Sequence, residues 1–230
     1  MAVCPADYRP FVVLGCDMSV DLEQGSEEWL QARCGKVTAS RFGDVMTQPR
    51  SKADREAGKL SGSAQTYLYD VVGEILTGKP KVTPETWAMK WGKDYEPHAR
   101  EIYAARYNVE VQEVGFIQSE FNPMLGCSPD GLVGGYGVEI KCFQPGKHLE
   151  IAVTKELPKE VVCQIQGSML VTGCQRWDFV GYCPELADVD IDFALNVITI
   201  HRDLKFCSDL RVRLTDFCNL VTETVEGFRK

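Results

Sequence analysis

The hydrophobic period of this 230-residue chain changes along its length, and that change constrains the fold more than any other feature. In the first half, apolar residues recur at helical spacing, as in Trp87, Trp91, Tyr95 and Ile102. From Val109 onward the pattern becomes that of short strands, followed by a helix, two strands and a closing helix. This order predicts an α/β protein in which helices cover a sheet.

Helix and strand boundaries follow from capping and turn residues. Ser26 caps the first expected helix, which stops near Gly35, and Gly134-Gly135 makes a hairpin turn. Further helices are expected after Thr38, from about Ser63 to Thr77, from Thr83-Pro84 with a bend at Pro97, over Lys159–Thr172 and over Asp203–Glu226. Strands are expected over Val109–Gln118, Leu125–Cys127, Gly131–Val133, Val138–Phe143, Trp177–Cys183 and Asp192–His201.

The length suits one domain over residues 1–230. We expect residues 1–22 to form an N-terminal extension and residues 184–230 to add C-terminal strands and a helix. No secretory signal and no apolar run of about 20 residues is found, so a cytoplasmic protein without a membrane partner is expected.

Ten cysteines are scattered along the chain, and no two are separated by only two residues. This spacing lacks the pairs typical of zinc and thioredoxin-type sites. Free buried thiols in a reducing compartment are the favoured interpretation, with an iron–sulfur cluster as the alternative.

The formal net charge of −8 argues against a protein that coats nucleic acid non-specifically. The charge is uneven, however. Residues 31–60 carry seven basic and three acidic residues, a balance of +4, whereas residues 185–192 hold four acids and no base. The net charge does not exclude a nuclease, because carboxylates that bind a metal ion are themselves acidic.

The segment from Asp130 to Lys141 carries the most chemical information. Glu139 and Lys141 are two residues apart on an expected strand, so they share a face, and the hairpin brings Asp130 near the same edge. Two buried carboxylates are costly unless compensated, and with the Ile140 carbonyl they are suitable Mg²⁺ ligands. Lys141 would then orient or deprotonate a water that attacks a phosphodiester. The alternative is an ordinary hairpin with surface charges.

Further blocks in the same order resemble the phage lambda exonuclease family, the YqaJ-like viral recombinases of the PD-(D/E)xK nuclease superfamily. The resemblance runs from about Glu23 to Tyr182. It rests on Trp29, the run Arg33-x-Gly35-x-Val37-Thr38-Ala39-Ser40, Trp91-Gly92-Lys93-Asp94-Tyr95-Glu96-x-x-Ala99-Arg100, Cys127-Ser128-Pro129-Asp130-Gly131-Leu132, Glu139-Ile140-Lys141-Cys142 and Gln164-Ile165-Gln166. It implies a restriction-endonuclease-like core, a central mixed β-sheet flanked by α-helices.

The resemblance also implies roles for individual residues. Asp130, Glu139 and the Ile140 carbonyl would bind the first of two Mg²⁺ ions, for which Mn²⁺ can substitute. Glu96 would approach the metals from the bent helix, and Lys141 would position the attacking water. Gln166 is expected near the site; Gln164 is less certain, because two residues on a helix differ by about 200°.

A second group of residues matches positions that hold a 5′-terminal phosphate in the family. Arg33, Thr38 and Ser40 fit this chemistry, since a guanidinium and hydroxyls donate to phosphate oxygens. A routine cap and a surface arginine are the alternative. Ser128 is a weaker addition, and Arg50 would contact DNA unless it is a solvated loop charge. The pair Trp87 and Trp91 is interpreted as core.

The resulting hypothesis is a processive, Mg²⁺-dependent 5′→3′ exonuclease. It would degrade one strand of linear double-stranded DNA to 5′-mononucleotides and leave 3′ overhangs for recombination by single-strand annealing. The resemblance further implies a homotrimer ring, an annealing recombinase as partner, and a phage or prophage protein acting in a bacterial host. The alternatives are a structure- or site-specific endonuclease, a non-catalytic DNA-end-binding module and an iron–sulfur nuclease. Val161, where the family has a tyrosine, and the loop over Gln48–Ser63 depart from the family pattern.

Overall fold

The computed structural model describes residues 22–230 and the strand Met18–Ser19. The rest of the expected N-terminal extension, with Cys4 and Cys16, lies outside the described residues. The helices are α1 (Glu27–Arg33), α2 (Phe42–Met46), α3 (Lys52–Glu56), α4 (Gly62–Thr77), α5 (Trp87–Tyr107), α6 (Pro145–Thr154), α7 (Lys159–Thr172), α8 (Pro184–Ala187), α9 (Ile191–Ala194) and α10 (Leu204–Phe228). The strands are β1 (Met18–Ser19), β2 (Val37–Thr38), β3 (Phe116–Gln118), β4 (Leu125–Cys127), β5 (Gly131–Val133), β6 (Tyr136–Cys142), β7 (Arg176–Tyr182) and β8 (Leu195–His201).

The described strands form two mixed sheets of four strands each, where one central sheet was expected. The first has the order β1-β3-β4-β2, with β2 parallel to β4 and the other pairs antiparallel. The second has the order β5-β6-β7-β8, with β6 parallel to β7. The α/β class with mixed sheets and flanking helices is confirmed. The chain passes from the first sheet to the second between β4 and β5.

The boundaries of most expected elements agree with the structure, and α7 agrees at both ends, but α3, which lies in the expected loop, and helices α6 and α8 were not expected. Helix α5 begins at Trp87 and not at Thr83-Pro84, because the Thr86 side chain accepts from the Met89 amide and caps the helix there. The expected strand over Val109–Gln118 shrinks to β3. The last expected strand loses its first residues to α9, which the Asp190 side chain caps.

Helices cover both faces of the second sheet. Ala99 and Tyr103 of α5 pack with Ile140 and Val180 on one face. On the other face, residues of α6 and α7 pack against Trp177 and Phe179. Because side chains alternate along a strand, Glu139 and Lys141 lie on the face opposite Ile140, toward α7. The first sheet shares a separate core with α2, α4, α7 and α10.

Three smaller expectations are settled by burial and bonding. The eight described cysteines are free, and six of them are buried.

Trp87 is 61% exposed and stacks on Trp91 with 4.9 Å between ring centroids, so the prediction that Trp87 is a core residue is wrong. Its position on the first turn of α5 leaves it at the surface. None of the helices among residues 22–230 combines the length and apolar character that crossing a membrane requires.

Candidate active site

Asp130, Glu139 and Lys141 come together where the two sheets meet. Asp130 lies on the connection from β4 to β5, and its Oδ2 accepts from the backbone amide of Ile140 at 2.6 Å. Glu139 and Lys141 follow on either side of Ile140 on β6. Pairing of β5 with β6 through the Gly134-Gly135 turn brings the three side chains to one edge. The ordinary hairpin with surface charges is therefore excluded, because Glu139 is fully buried.

Glu139 is the most enclosed acid of this group. Its Oε1 accepts from Lys141 Nζ at 2.5 Å and from Gln164 Nε2 at 2.6 Å. Its Oε2 is buried with no hydrogen-bond partner among the described residues. A buried carboxylate oxygen without a donor is costly, so this atom is available to a ligand that carries positive charge.

Glu96 approaches the same group from α5, as the sequence predicted. It is half-buried, and its charge interacts with those of Asp130 and Lys141. Its Oε1 lies over Gly92, where an added Cβ would come within 3.2 Å of it. The absence of a side chain at Gly92 thus leaves room for the Glu96 carboxylate one turn away.

Burial and mutual repulsion raise the pKa values of these acids. Burial raises the pKa of Glu139 to about 8, assisted by Asp130 and opposed by Lys141. Burial, followed by the Asp130 charge, raises the pKa of Glu96 to about 7. Burial also raises the pKa of Asp130. Clustered acids of this kind are typical of functional sites.

The pKa of Lys141 is also raised, but by the neighbouring charges and not by burial. Burial acts to lower its pKa, but the charges of Glu139, Asp130 and Glu96 outweigh that effect and raise it. In the cation-free site the ammonium group is therefore protonated at neutral pH. Of the two roles expected for Lys141, orienting a water by donation fits this state better than removing its proton.

The donor set fits a hard divalent cation. Asp130 and Glu139 supply carboxylate oxygens and Ile140 a carbonyl, and the partnerless Glu139 Oε2 is directly available. No group of three or more His, Cys, Asp and Glu side chains that could hold a metal ion occurs among the described residues. Mg²⁺ is commonly held by one or two carboxylates, with water in its remaining positions.

We expect a cation-dependent effect of pH on stability. Glu139 and Glu96 have folded-state pKa values of about 8 and about 7, above the value near 4.5 of the unfolded chain. The stability that their protonated forms contribute is complete below about pH 4.5 and is lost as the pH rises through 7 and 8. A fixed Mg²⁺ concentration of about 100 times the Kd at pH 8.5 should raise the thermal midpoint at pH 8.5 by about 5–10 °C, and by less at pH 6. Scanning calorimetry with Mg²⁺ and with chelator measures this; equal Mg²⁺ effects at both pH values would contradict it.

A second cluster lies beside the acids and surrounds Arg33 at the end of α1. The Arg33 guanidinium stacks 4.2 Å from the centroid of Trp29 and donates to Ser128 Oγ at 2.7 Å and to Thr38 Oγ1 at 3.5 Å. Thr38 Oγ1 is in turn 3.3 Å from Ser40 Oγ. Burial lowers the pKa of Arg33. A half-buried cation beside hydroxyl groups is suited to binding an anion.

One cavity joins the two clusters. It has a volume of about 220 Å³ and is lined by Arg33, Ser40 and Ser128 on one side and by Asp130 and Gln164 on the other. Trp29, Arg33 and Ser40 also border a second cavity of about 740 Å³, which extends toward α4 and the start of α5. The structure thus places the predicted phosphate-binding residues next to the predicted catalytic acids.

Gln166 is not part of the site, and its predicted position is wrong. Its Nε2 donates to the His201 carbonyl and its Oε1 accepts from the Asp203 amide, both at 2.9 Å. Gln164, the less certain of the pair, contacts Glu139 instead. The reason is helical rotation, since two residues turn by about 200° and point to opposite faces of α7.

Arg50 is exposed in the segment between α2 and α3, and its carbonyl accepts from Arg55. It lines neither cavity, so its predicted contact with DNA stays a prediction. Two other residues were missed. Gln24 lines the smaller cavity, and Arg100 donates to the Asp130 carbonyl at 3.1 Å. Gln24 has no sequence signal, whereas Arg100 belongs to one of the quoted blocks.

Comparison with known proteins gives a consistent result. The family model of the YqaJ-like viral recombinase domain matches residues 28–175. The crystal structure of an alkaline exonuclease from Laribacter hongkongensis is 34% identical with a TM-score of 0.78, and the match covers 89% of this chain and 96% of that one. A structure of that exonuclease in complex with dAMP matches equally well.

A phage-related exonuclease from Haemophilus somnus 129PT shares the fold, with 18% identity, a TM-score of 0.66 and coverage of 84% of this chain and 96% of that one. No curated protein sequence matches significantly. Since the family model spans more than half of the chain, and a solved relative is similar over nearly its whole length, the protein belongs to the YqaJ-like viral recombinase family.

Proposed function

We propose that this protein is a DNA exonuclease that degrades one strand of linear double-stranded DNA in the 5′→3′ direction. The observation that carries the proposal is one cavity that the guanidinium of Arg33 and the hydroxyls of Ser40 and Ser128 share with Asp130. Ser128 and Asp130 are only two residues apart, so a terminal phosphate and the bond to be cut would lie close together. Such proximity suits removal of a 5′-terminal nucleotide.

The chain's own residues would divide the work between holding and cutting. Arg33, with the hydroxyls of Thr38, Ser40 and Ser128, would hold the 5′-phosphate by charge-assisted hydrogen bonds. Lys141, kept in place by Glu139, would orient the attacking water by donating a hydrogen bond. Gln164 would hold Glu139 in the rotamer that aims its free Oε2 at the site.

Asp130, Glu139 and the Ile140 carbonyl would hold Mg²⁺, with Mn²⁺ as a substitute and Glu96 near a second ion. The cation would neutralise the buried acids and stabilise the charge that develops on the phosphodiester. Support comes from the partnerless Glu139 Oε2 and from the raised pKa values, both of which a cation would relieve.

The remaining proposals rest on family membership. Processive release of 5′-mononucleotides would leave 3′ overhangs, which a single-strand annealing recombinase would use in phage-type recombination in the cytoplasm of a bacterial host. A homotrimer ring around the DNA would explain processivity. The similarity to the Laribacter hongkongensis alkaline exonuclease supports the nuclease activity on which these steps depend.

Digestion of a linear duplex labelled separately at each 5′ end and each 3′ end tests the proposal. We expect release of labelled mononucleotides from the 5′ ends with Mg²⁺ and none from covalently closed circles. Cutting of the closed circles would favour the endonuclease alternative. Binding to ends without any digestion would favour the DNA-end-binding module.

Replacing Arg33 with Met should reduce the preference for 5′-phosphorylated over 5′-hydroxyl ends by about 10-fold to 100-fold. A hydrogen bond to a charged group contributes about 1.5–3 kcal/mol, and the loss falls on the phosphorylated substrate alone. Initial digestion rates on the two substrates measure it. The matched control is Arg213→Met on the exposed side of α10, which should keep the preference. An unchanged preference in Arg33→Met would place the phosphate elsewhere.

A further inference from the structure

The connection that carries Ser128 and Asp130 is one side of an opened β-ladder. Gln112 pairs with Leu132 through two backbone hydrogen bonds of 2.8 Å. Five residues further along, Ile117 pairs with Cys127 in the same antiparallel register. Between these pairs, no backbone hydrogen bond among the described residues joins 113–115 to 128–130. The two segments therefore separate and rejoin without a change of register.

Side chains from outside the sheets bridge this gap, one at each of the three opposed residue pairs. Arg100 donates to the Asp130 carbonyl and forms an ion pair of 3.0 Å with Glu113. Gln24 Nε2 donates to the carbonyls of Val114 and Pro129, both at 2.8 Å.

Trp29 completes the bridge at the third level. Its Nε1 lies 3.0 Å from the Gly115 carbonyl and 3.1 Å from Ser128 Oγ. The three bridges thus join 113 to 130, 114 to 129 and 115 to 128, in antiparallel order. Side-chain donors thus satisfy four backbone carbonyls of the opened segments, those of residues 114, 115, 129 and 130.

The second segment of the opened ladder links the residue beside Arg33 to the residue beside the acids. It begins with Ser128, which Arg33 contacts, and ends with Asp130, whose side chain faces the acids. The same segment is the passage from the first sheet to the second, so it carries no regular pairing of its own. Its carbonyls at Pro129 and Asp130 accept from Gln24 and Arg100.

We propose that Gln24 and Arg100 are positioning residues that fix the phosphate-holding Ser128 relative to the catalytic Asp130. This inference rests on the proposed function, because it concerns how recognition of a 5′-phosphate promotes cleavage of the next bond. Without the hydrogen bonds from Gln24 and Arg100, the phosphate would still enter its pocket. Its binding would no longer place the scissile bond against Asp130. A displacement of about 1 Å can cost about 100-fold in rate.

The test compares 5′-phosphorylated and 5′-hydroxyl duplexes with Arg100→Met and Gln24→Met. On phosphorylated ends, kcat should fall about 10-fold to 100-fold while KM changes less than about threefold. On hydroxyl ends, where no phosphate positions the strand, kcat should fall only about twofold. Arg100→Lys keeps one donor for the Asp130 carbonyl and should recover part of the loss.

Matched controls separate positioning from general destabilisation. Glu101→Gln changes an exposed acid next to Arg100 on α5, and Gln31→Met changes an exposed glutamine on α1. Both should retain the kcat of the unaltered chain on both substrates. If Arg100→Met fails to fold, as judged by its thermal midpoint, Gln24→Met serves alone because Gln24 is exposed.

A second readout needs no turnover. In chelator, fluorescence anisotropy should show that the affinity gained from a 5′-phosphate falls about threefold in Gln24→Met, because Ser128 is held less firmly. Equal losses of kcat on both substrates, or an unchanged phosphate preference in both variants, would overturn the positioning role of Gln24 and Arg100. Either result would leave the exonuclease proposal intact. An unaltered chain that digests no DNA at all would instead overturn the proposed function.

Discussion

Asp130→Asn should lower the digestion of linear duplex DNA at least about 1000-fold in the presence of Mg²⁺. Asparagine retains an oxygen that can accept from the Ile140 amide, so the local fold should persist. What it removes is one of the two negative charges that would hold the cation, and a cation contributes several kcal/mol to stabilising the transition state. Release of acid-soluble nucleotides from a long linear duplex measures the loss.

The cation-free stability of this variant provides an internal check. Burial raises the pKa of Asp130, and its charge adds to the cost of ionising Glu139 and Glu96. Removing that charge should leave the thermal midpoint at pH 8.5 unchanged or higher in chelator. The control is Asp94→Asn, an exposed aspartate on α5 paired with Lys90, which should digest DNA normally. Normal activity in Asp130→Asn would refute the assignment of the site.

Lys141→Met should lower kcat about 100-fold to 1000-fold with little change in KM. The ammonium group touches Glu139 at 2.5 Å and is surrounded by three acids, which raise its pKa and keep it charged. Its donor would act on the attacking water and on developing charge, an interaction stronger in the transition state than in the ground state. Steady-state kinetics on 5′-phosphorylated duplex separates kcat from KM.

The matched control for Lys141→Met is Lys147→Met on α6, where the lysine forms a surface ion pair with Glu150. That change should alter neither kcat nor KM. Equilibrium binding of duplex ends in chelator should be nearly the same in Lys141→Met and the unaltered chain, because Arg33 and its hydroxyl partners are intact. A rise in KM at constant kcat would instead assign Lys141 to substrate binding.

The two glutamines of α7 show how far the sequence can lead. Helical geometry predicts from sequence alone that Gln164 and Gln166 cannot share a face. It does not say which face of α7 lies against β6, since that depends on how the helix packs across two cores. Only the structure shows that Gln164 reaches Glu139 while Gln166 binds the segment leading into α10.

The predicted strand over Val109–Gln118 also shows where prediction from the sequence ends. Its composition favours extended backbone, and Gln112 and the residues of β3 do pair with other extended segments. In the middle, donors from Gln24 and Arg100, about 90 and 13–30 residues away in sequence, take the place of backbone pairing. Propensity is a local quantity, whereas this choice depends on contacts with distant residues.

Ordered motifs in the sequence indicated the family by resemblance. Local patterns determined the α/β class, the approximate bounds of the expected helices and strands, and the placement of Glu139 and Lys141 on one strand face. These follow from side-chain periodicity and residue type, which are properties of neighbouring residues. The division into two sheets, the side of α7 that faces Glu139, and the bridges that join Ser128 to Asp130 were decided by tertiary structure alone. Each depends on free energies of packing and hydrogen bonding between residues far apart in the chain, and no local pattern records those.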